Sequence, residues 1–190
     1  MANQFGSKLD EHGFERYEEN QYPIAYLLTF RTYGTWLHGD ERKSMQRSRD
    51  DRFSTVRLEP NVPLHEKMTE KLSQSPTILS PGQRQIVEAS IRETCDFRRY
   101  RLLAVNIRTN HAHAVISAAA TPEKIVNDLK SYATRRLREV GEAGHREKIW
   151  SRGASTRYLW KPRFVEAAIE YVLYSQGDVP FEMVYEIPET

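Results

Sequence analysis

The feature that most constrains this chain is a pair of strand-like segments separated by only three residues. In the first, "YRLLAVNIR", the apolar residues Leu103, Val105 and Ile107 alternate with their neighbours, and after "TNH" a second segment runs to about Ala118. Alternation with a period of two is typical of a β-strand with one buried face. Because so short a connection joins neighbouring antiparallel strands, the sequence predicts a β-hairpin here.

Helices and further strands are predicted on both sides of this hairpin. An apolar run over residues 24–33 precedes a helix that begins at Ser80 and Pro81, where a capping residue and a first-turn proline coincide. After the hairpin come a helix from Thr121, a short strand in "TRYLW" and a last helix in "FVEAAIEYVLYSQ". The first six elements follow the split βαβ order. We therefore predict an α+β, ferredoxin-like (RRM-like) antiparallel sheet with an added C-terminal helix.

Length and composition favour one soluble domain over residues 1–190. Cys95 is the single cysteine and cannot form an internal disulfide, and no run approaches the roughly 20 apolar residues of a membrane span. The first residues lack the basic start and apolar stretch of a secretory signal. Within the domain we expect an acidic extension at 1–20 and an insertion or long loop at 34–80, with a short helix near "LHEKMTEKL".

Basic residues are concentrated in one part of an otherwise balanced chain. The formal net charge is +2, but between Lys124 and Arg163 eleven lysines and arginines face four acidic residues. Such a block can follow a polyphosphate backbone, since contacts from Lys and Arg to phosphates supply most of the nonspecific affinity for nucleic acids. On charge alone, a solvated helix face is the simpler explanation.

Two histidines, His111 and His113, lie one residue apart at the start of the second hairpin strand. Side chains two apart on a strand point the same way, so both imidazoles share a face while Ala112 and Ala114 point to the other. Two neutral imidazoles held in this way can chelate one divalent cation. The alternative is two unrelated histidines on a partly exposed strand, and a third ligand has to come from elsewhere.

The last predicted helix carries two tyrosines near its end. Tyr171 and Tyr174 are three residues apart and therefore lie on roughly one side of the helix. A tyrosine with its usual pKa near 10 is a poor nucleophile unless a metal-polarised phosphate or a base lies beside it. Tyrosines at this spacing are more often core or interface residues, so spacing alone leaves both interpretations open.

Longer segments of the sequence resemble a known family. "NHAHAVIS" is followed by the basic helix "LKSYATRRLRE", then by "IWSRGASTRYLW" and "AAIEYVLYSQGD". In this order and spacing they resemble the one-tyrosine HUH transposases, in the insertion-sequence 200-like and REP-associated branch. The early stretch "LTFRTYGTWLHGDER" is also similar to members of this branch. The resemblance extends from about Tyr22 to Asp178, which is most of the chain.

The resemblance implies a site and a reaction. In the family, the histidine pair binds Mg²⁺ or Mn²⁺ and a helix tyrosine attacks single-stranded DNA, leaving a 5′-phosphotyrosine and a free 3′-hydroxyl. This makes His111 and His113 the metal ligands and Tyr171 the nucleophile, with Tyr174 as the reserve candidate. Relatives place a third ligand four residues after the tyrosine, whereas Gln176 is five residues on, about 140° further round an ideal helix. Either Gln176 or water completes the metal shell.

The resemblance also implies single-stranded or hairpin DNA as the partner and leaves monomer and homodimer both open. The composition predicts no membrane association, and with a DNA partner this predicts a cytoplasmic, nucleoid-associated location. Trp150, Tyr158 and Trp160 lie among the basic residues and can stack on unpaired bases, although they can also belong to the core. The cations expected to contact DNA are Lys130, Arg135, Arg136, Arg138, Arg152, Arg157, Lys161 and Arg163.

Two other functions remain compatible with the sequence. One is a host-adopted module that binds hairpin DNA but is catalytically weakened, which the displaced glutamine favours. The other is an unrelated metal-dependent phosphodiesterase that uses the histidine pair with water. Substitution of Tyr171 separates the three, because it removes the activity of the transposase but spares binding by the module and hydrolysis by the phosphodiesterase.

Overall fold

The computed structural model describes the backbone of residues 7–9, 15–17, 22–37, 44–47, 55–58 and 61–175, and the side chains of 22–37 and 61–175. Its elements, in chain order, are β1 (Ser7–Leu9), β2 (Glu15–Tyr17), β3 (Ala25–Arg31), β4 (Ser44–Arg47), β5 (Thr55–Leu58), α1 (Val62–Glu70), α2 (Pro81–Arg98), β6 (Arg101–Ile107), β7 (His111–Ser117), α3 (Pro122–Glu139), β8 (Ser155–Leu159) and α4 (Pro162–Tyr174).

Four of these strands form the central sheet. Their order is β6-β7-β3-β8, and each neighbouring pair is antiparallel. Residues 108–110 join β6 to β7, so the predicted three-residue hairpin is confirmed. Around this sheet β3, α2, β6, β7, α3 and β8 follow the split βαβ order that the sequence predicts. The α+β class with an antiparallel sheet is therefore confirmed.

Helices α2 and α3 cover one face of the sheet, and each begins at the capping residue that the sequence indicates. The Ser80 hydroxyl accepts from the Gln83 amide at 3.2 Å, and the Gln83 side chain accepts from the Ser80 amide at 2.8 Å, which satisfies donors left unpaired in the first turn. Thr121 caps α3 by accepting from the Lys124 amide. Below these helices, β7 contributes the buried side chains Ala112, Ala114 and Ile116 to the main core.

Helix α4 packs on the opposite face of the sheet. It covers a second, smaller core made of Ala25, Leu27, Ala104, Val115, Leu159, Val165, Ala168 and Val172. Since Val115 faces α4 and side chains alternate along a strand, His111 and His113 point to this same face. The histidines therefore lie in the layer between the sheet and the last helix.

One predicted alternation is wrong. Leu103, expected to share a face with Val105 and Ile107, packs instead with the core under α4, whereas those two residues face α2 and α3. The cause is a register shift. Leu102 pairs with Ile116, and Ala104, two residues later, pairs with Val115, which is only one residue away on β7. Leu103 is the extra residue of this bulge, and an extra residue reverses the alternation on one side of it.

Residues 34–80 contain β4 and β5, which pair antiparallel, and the short helix α1, which overlaps the helix predicted near "LHEKMTEKL". In the acidic stretch 1–20 the structure describes β1 and β2 alone, and these pair antiparallel. No helix in the described part of the chain is long and apolar enough to cross a membrane.

Candidate active site

The two histidines lie beside each other under α4. Their ring centroids are 4.7 Å apart and the ring planes meet at 81°. His113 is 6% exposed, while His111, at the beginning of β7, is partly open to solvent. The predicted placement on one strand face is confirmed, whereas the role of these residues as metal ligands stays a prediction.

Each imidazole is oriented by a hydrogen bond at Nδ1. Nδ1 of His113 is 2.8 Å from the Thr29 hydroxyl, and Thr29 lies directly opposite His113 in the pairing of β3 with β7. Nδ1 of His111 is 2.6 Å from the Asn110 side-chain oxygen. A histidine that donates from one ring nitrogen presents the other to a metal, and such partners fix the tautomer and the ring orientation. When Nδ1 carries the proton, each ring has Nε2 available as an acceptor.

Tyr171 is the tyrosine next to this pair. It lies in the last turn of α4, 43% exposed, and its ring centroid is 5.7 Å from that of His113 with an interplanar angle of 79°. Tyr174, three residues later at the helix end, is 76% exposed. Of the two tyrosines singled out from the sequence, the structure thus brings Tyr171 into contact with a histidine ring.

A side chain of the sheet holds α4 in this position. The side-chain amide nitrogen (Nδ2) of Asn106 on β6 donates to the Val172 carbonyl oxygen at 2.9 Å. The last four carbonyls of a helix lack partners within the helix, so this bond satisfies one of them. Asn106 also pairs with His113 in the β6–β7 register. Asn106 therefore connects the last turn of α4, which carries Tyr171, to the strand position beside His113.

The third predicted ligand, Gln176, lies outside the described residues, because the described part of the chain ends at Ser175, the C-cap of α4. Within the described ranges, no group of three His, Cys, Asp or Glu side chains could hold a metal ion. The donors that the structure does bring together are two imidazoles with anchored Nδ1 atoms. This donor set fits two positions in the shell of a divalent cation, with amide or water oxygens for the others.

Lys130, predicted to contact DNA, is engaged within the protein. Its ammonium donates to the backbone carbonyls of Ser151 and Gly153, the first at 2.9 Å. Burial disfavours the charged form and lowers the pKa of Lys130 to about 8. In this structure Lys130 holds the segment that enters β8.

The remaining predicted DNA contacts are distributed over both faces of the sheet. Arg135 and Arg136 are exposed near the end of α3, where both form ion pairs with Glu139. Lys161 and Arg163 flank the other end of α4, about 15 and 12 Å along the helix from Tyr171 at 1.5 Å per residue. Arg138 donates to the Glu147 carbonyl, and Arg152 and Arg157 are exposed before and within β8. The cations do not form a single cluster at the histidines.

The three aromatic residues proposed to stack on bases have different positions. Trp150 packs edge-on against Phe30 and donates from its indole nitrogen to the Lys130 carbonyl, so it belongs to the core. Tyr158 and Trp160 are exposed, and their rings are parallel within 9°. The latter two remain available to a ligand.

The sequence analysis did not single out Thr29, Asn106, Asn110 or Arg31 as functional residues. Thr29 and Asn106 are polar residues that interrupt apolar strand segments, and that contrast is the signal that could have found them. Asn110 and Arg31 stand next to other polar residues, so the sequence carries no such signal for them. The contact of Thr29 depends on strand register, which joins it to a residue 84 positions away in sequence.

Comparison with known proteins places the chain among enzymes that move DNA. A family model described as "Transposase IS200 like" matches residues 74–184, which is more than half of the chain and includes the hairpin, α3 and α4. The chain belongs to the IS200-like transposase family. Membership assigns it to the transposases, which are DNA-cutting enzymes.

Two solved structures are similar to this chain at low sequence identity. One is a REP-associated tyrosine transposase bound to a REP hairpin (11% identity, TM-score 0.47, 84% of this chain and 72% of the other). The second is a candidate transposase from Deinococcus radiodurans R1 (11% identity, TM-score 0.45, 84% of this chain and 95% of the other). The comparison with curated proteins found no significant match.

Proposed function

We propose that this chain cuts and rejoins single-stranded DNA through a 5′-phosphotyrosine on Tyr171, with Mg²⁺ or Mn²⁺ held by His111 and His113. The observation that carries the proposal is the contact between the Tyr171 and His113 rings, 5.7 Å between centroids, on the face where both histidines have anchored Nδ1 atoms. Within a chain of the IS200-like family, this is the arrangement in which a tyrosine can reach a phosphate bound at the histidine pair.

The reaction is an exchange of phosphoesters. A divalent cation, when bound, supplies positive charge at a nonbridging oxygen of the scissile phosphate. The Tyr171 phenol oxygen forms a bond to phosphorus, the bond from phosphorus to the 3′-oxygen breaks, and the 3′-oxygen takes up a proton. The phenol proton passes to solvent or to a base. A 3′-hydroxyl from another strand reverses these events, so cutting and joining need no nucleotide energy source.

Hairpin DNA is the proposed form of the substrate. The exposed arginines at the end of α3 and within β8 offer phosphate contacts, and the parallel Tyr158 and Trp160 rings offer stacking to unpaired bases. A hairpin presents both a duplex stem and unpaired bases next to it. Support for the hairpin itself comes from the resemblance to the REP-associated branch.

The proposal is tested with labelled pools of single-stranded hairpin oligonucleotides. The protein is mixed with each pool and Mn²⁺ or Mg²⁺, and covalent protein–DNA adducts are resolved on a denaturing gel. We expect an adduct that requires the metal and disappears with EDTA. No adduct across the pools, together with tight hairpin binding, would instead establish the catalytically weakened binding module.

Substitution of Thr29 by valine tests how the site is oriented. Valine keeps the shape of the side chain but removes the hydroxyl beside Nδ1 of His113, so we expect Mn²⁺ affinity and adduct formation to fall about 10- to 100-fold, the range typical of outer-shell partners. Metal titration and adduct kinetics measure the two effects. Thr94→Val is the matched control, because this buried threonine on α2 donates to the Ser90 carbonyl and lies on the other face of the sheet. Equal losses in both variants would contradict the assignment.

A further inference from the structure

We propose that Arg31 binds the scissile phosphate, and that Trp36 holds its guanidinium in place for this contact. The inference rests on the proposed function and adds a phosphate-binding residue to the same site. It also gives a role to the stretch "LTFRTYGTWL", which precedes the residues matched by the family model.

The strand register places Arg31 beside the histidines. Arg31 pairs with His111 in the β3–β7 ladder, just as Thr29 pairs with His113. Ala25 and Leu27, the preceding residues of the same alternation, lie under α4. Arg31 therefore extends the row of side chains on the histidine face, and residues directly opposite each other have Cβ atoms about 4.5–5.5 Å apart.

Trp36 fixes the orientation of the Arg31 side chain. The guanidinium carbon of Arg31 lies over the Trp36 ring, 3.4 Å from its centre, which is a close cation–π contact. The N–H donors of a guanidinium lie in its own plane, so contact with an aromatic face still leaves them directed away from the ring when the two planes are parallel. The long side chain thus loses much of its rotational freedom before any ligand binds.

The turn that carries Trp36 is hydrogen-bonded to Asn110, the residue that orients the His111 ring. The Asn110 carbonyl accepts from the Thr32 amide at 2.9 Å and from the Thr32 and Thr35 hydroxyls at 3.1 and 3.2 Å. Gly34, between the two threonines, has φ +72°, a conformation that other residues rarely adopt. Asn110 therefore bonds both to the turn that carries Trp36 and to the His111 ring.

A guanidinium at this position suits the charge that develops during phosphoryl transfer. Two parallel N–H donors match two oxygens of a phosphate, and such charge-assisted bonds are stronger than neutral ones. Arg31 lies in the row of the histidines. The arginines that the sequence predicts to contact DNA lie elsewhere, at the end of α3, before or within β8, and at the start of α4. We therefore assign Arg31 to the reacting phosphate and those arginines to the rest of the DNA.

The test uses the hairpin oligonucleotide that gives the strongest adduct, in two forms: with a normal scissile phosphate and with a neutral methylphosphonate there. For Arg31→Ala we expect adduct formation with the normal DNA to slow about 100-fold, the effect of losing one preorganised donor to a developing anion, while hairpin affinity changes less than about threefold. Arg31→Lys keeps the positive charge but loses the paired N–H donors of the guanidinium, so it should recover part of the rate. The rate of adduct formation in Trp36→Phe should lie between the rates of the wild type and of Arg31→Ala.

The methylphosphonate form separates contact from folding. If Arg31 binds a nonbridging oxygen of this phosphate, the rate penalty for the neutral analogue is large in the unmodified protein and at least tenfold smaller in Arg31→Ala, because the two changes remove the same interaction. Comparison of two DNAs within one variant does not depend on that variant's stability, and Arg31→Lys serves if the alanine variant fails to fold. Arg92→Ala, on α2 and paired with Glu88, is the control for loss of an arginine.

Four outcomes overturn the assignment. An unchanged adduct rate in Arg31→Ala, or an equal methylphosphonate penalty in both proteins, removes Arg31 from the reacting phosphate while leaving Tyr171 chemistry intact. Loss of hairpin affinity with a normal rate for bound DNA makes Arg31 a general DNA contact. If the unmodified protein forms no adduct with any pool, the proposed function fails and this inference fails with it.

Discussion

Tyr171→Phe is expected to lose covalent DNA attachment by more than about 10⁴-fold, the scale on which removal of a covalent nucleophile acts in other enzymes. Phenylalanine keeps the ring that packs against His113 at 5.7 Å and removes only the oxygen that would form the bond to phosphorus. Hairpin affinity and thermal stability should therefore stay close to those of the unmodified protein. The measurement is the amount of adduct on a denaturing gel under single-turnover conditions.

Tyr174→Phe is the matched control for this experiment. It makes the same chemical change three residues later on α4, at a position that is 76% exposed. We expect adduct formation within about threefold of wild type, as for most exposed substitutions. If the adduct persists in Tyr171→Phe and disappears in Tyr174→Phe, the nucleophile is Tyr174. DNA that is still cut by Tyr171→Phe, without an adduct, would identify a metal-dependent phosphodiesterase that uses water.

His113→Ala is expected to reduce adduct formation at least 100-fold, beyond the range of outer-shell changes, because in the proposed site it removes one of the two metal ligands. It also leaves the Thr29 hydroxyl beside a small cavity, so part of the loss can arise from stability. Mn²⁺ titration distinguishes the two causes. A lost ligand weakens metal binding, and higher Mn²⁺ concentrations then recover some of the rate, whereas a folding defect does not respond in this way.

His145→Ala provides the matched histidine control. His145 is exposed in the turn after α3, next to Gly144, and should tolerate the change with activity and metal affinity unaltered. Normal Mn²⁺ affinity and a normal adduct rate in His113→Ala would rule out a metal site on this strand face.

Much of the fold could be predicted because its signals are local. The alternation that defines the hairpin, and the Ser80 and Thr121 caps followed by proline, are each contained within a few residues of sequence. For the same reason the shared face of His111 and His113 was predictable, since it requires only that the strand be regular there. Where the strand is irregular, at Leu103, the local rule gave the wrong face.

The supporting residues of the site could not be predicted, because they depend on register between distant segments. Nothing near Thr29 in sequence shows that it pairs with His113, and the bond from Asn106 to the Val172 carbonyl joins residues 66 positions apart. Lys130 was predicted from its charge to contact DNA, whereas its surroundings place its ammonium on backbone carbonyls. The role of Gln176 stays a prediction, as this residue lies outside the described part of the chain.

The bond between Asn106 and α4 has a mechanical consequence. α4 begins at Pro162 and carries Tyr171 nine residues later, about 13.5 Å along the helix axis. A tilt of about 5° about the Pro162 end would move Tyr171 by about 1 Å, a displacement that can slow a reaction about 100-fold. The bond from Asn106 to the Val172 carbonyl and the packing of Val165, Ala168 and Val172 in the core under α4 oppose such a tilt, so together they limit the movement of Tyr171 relative to His113.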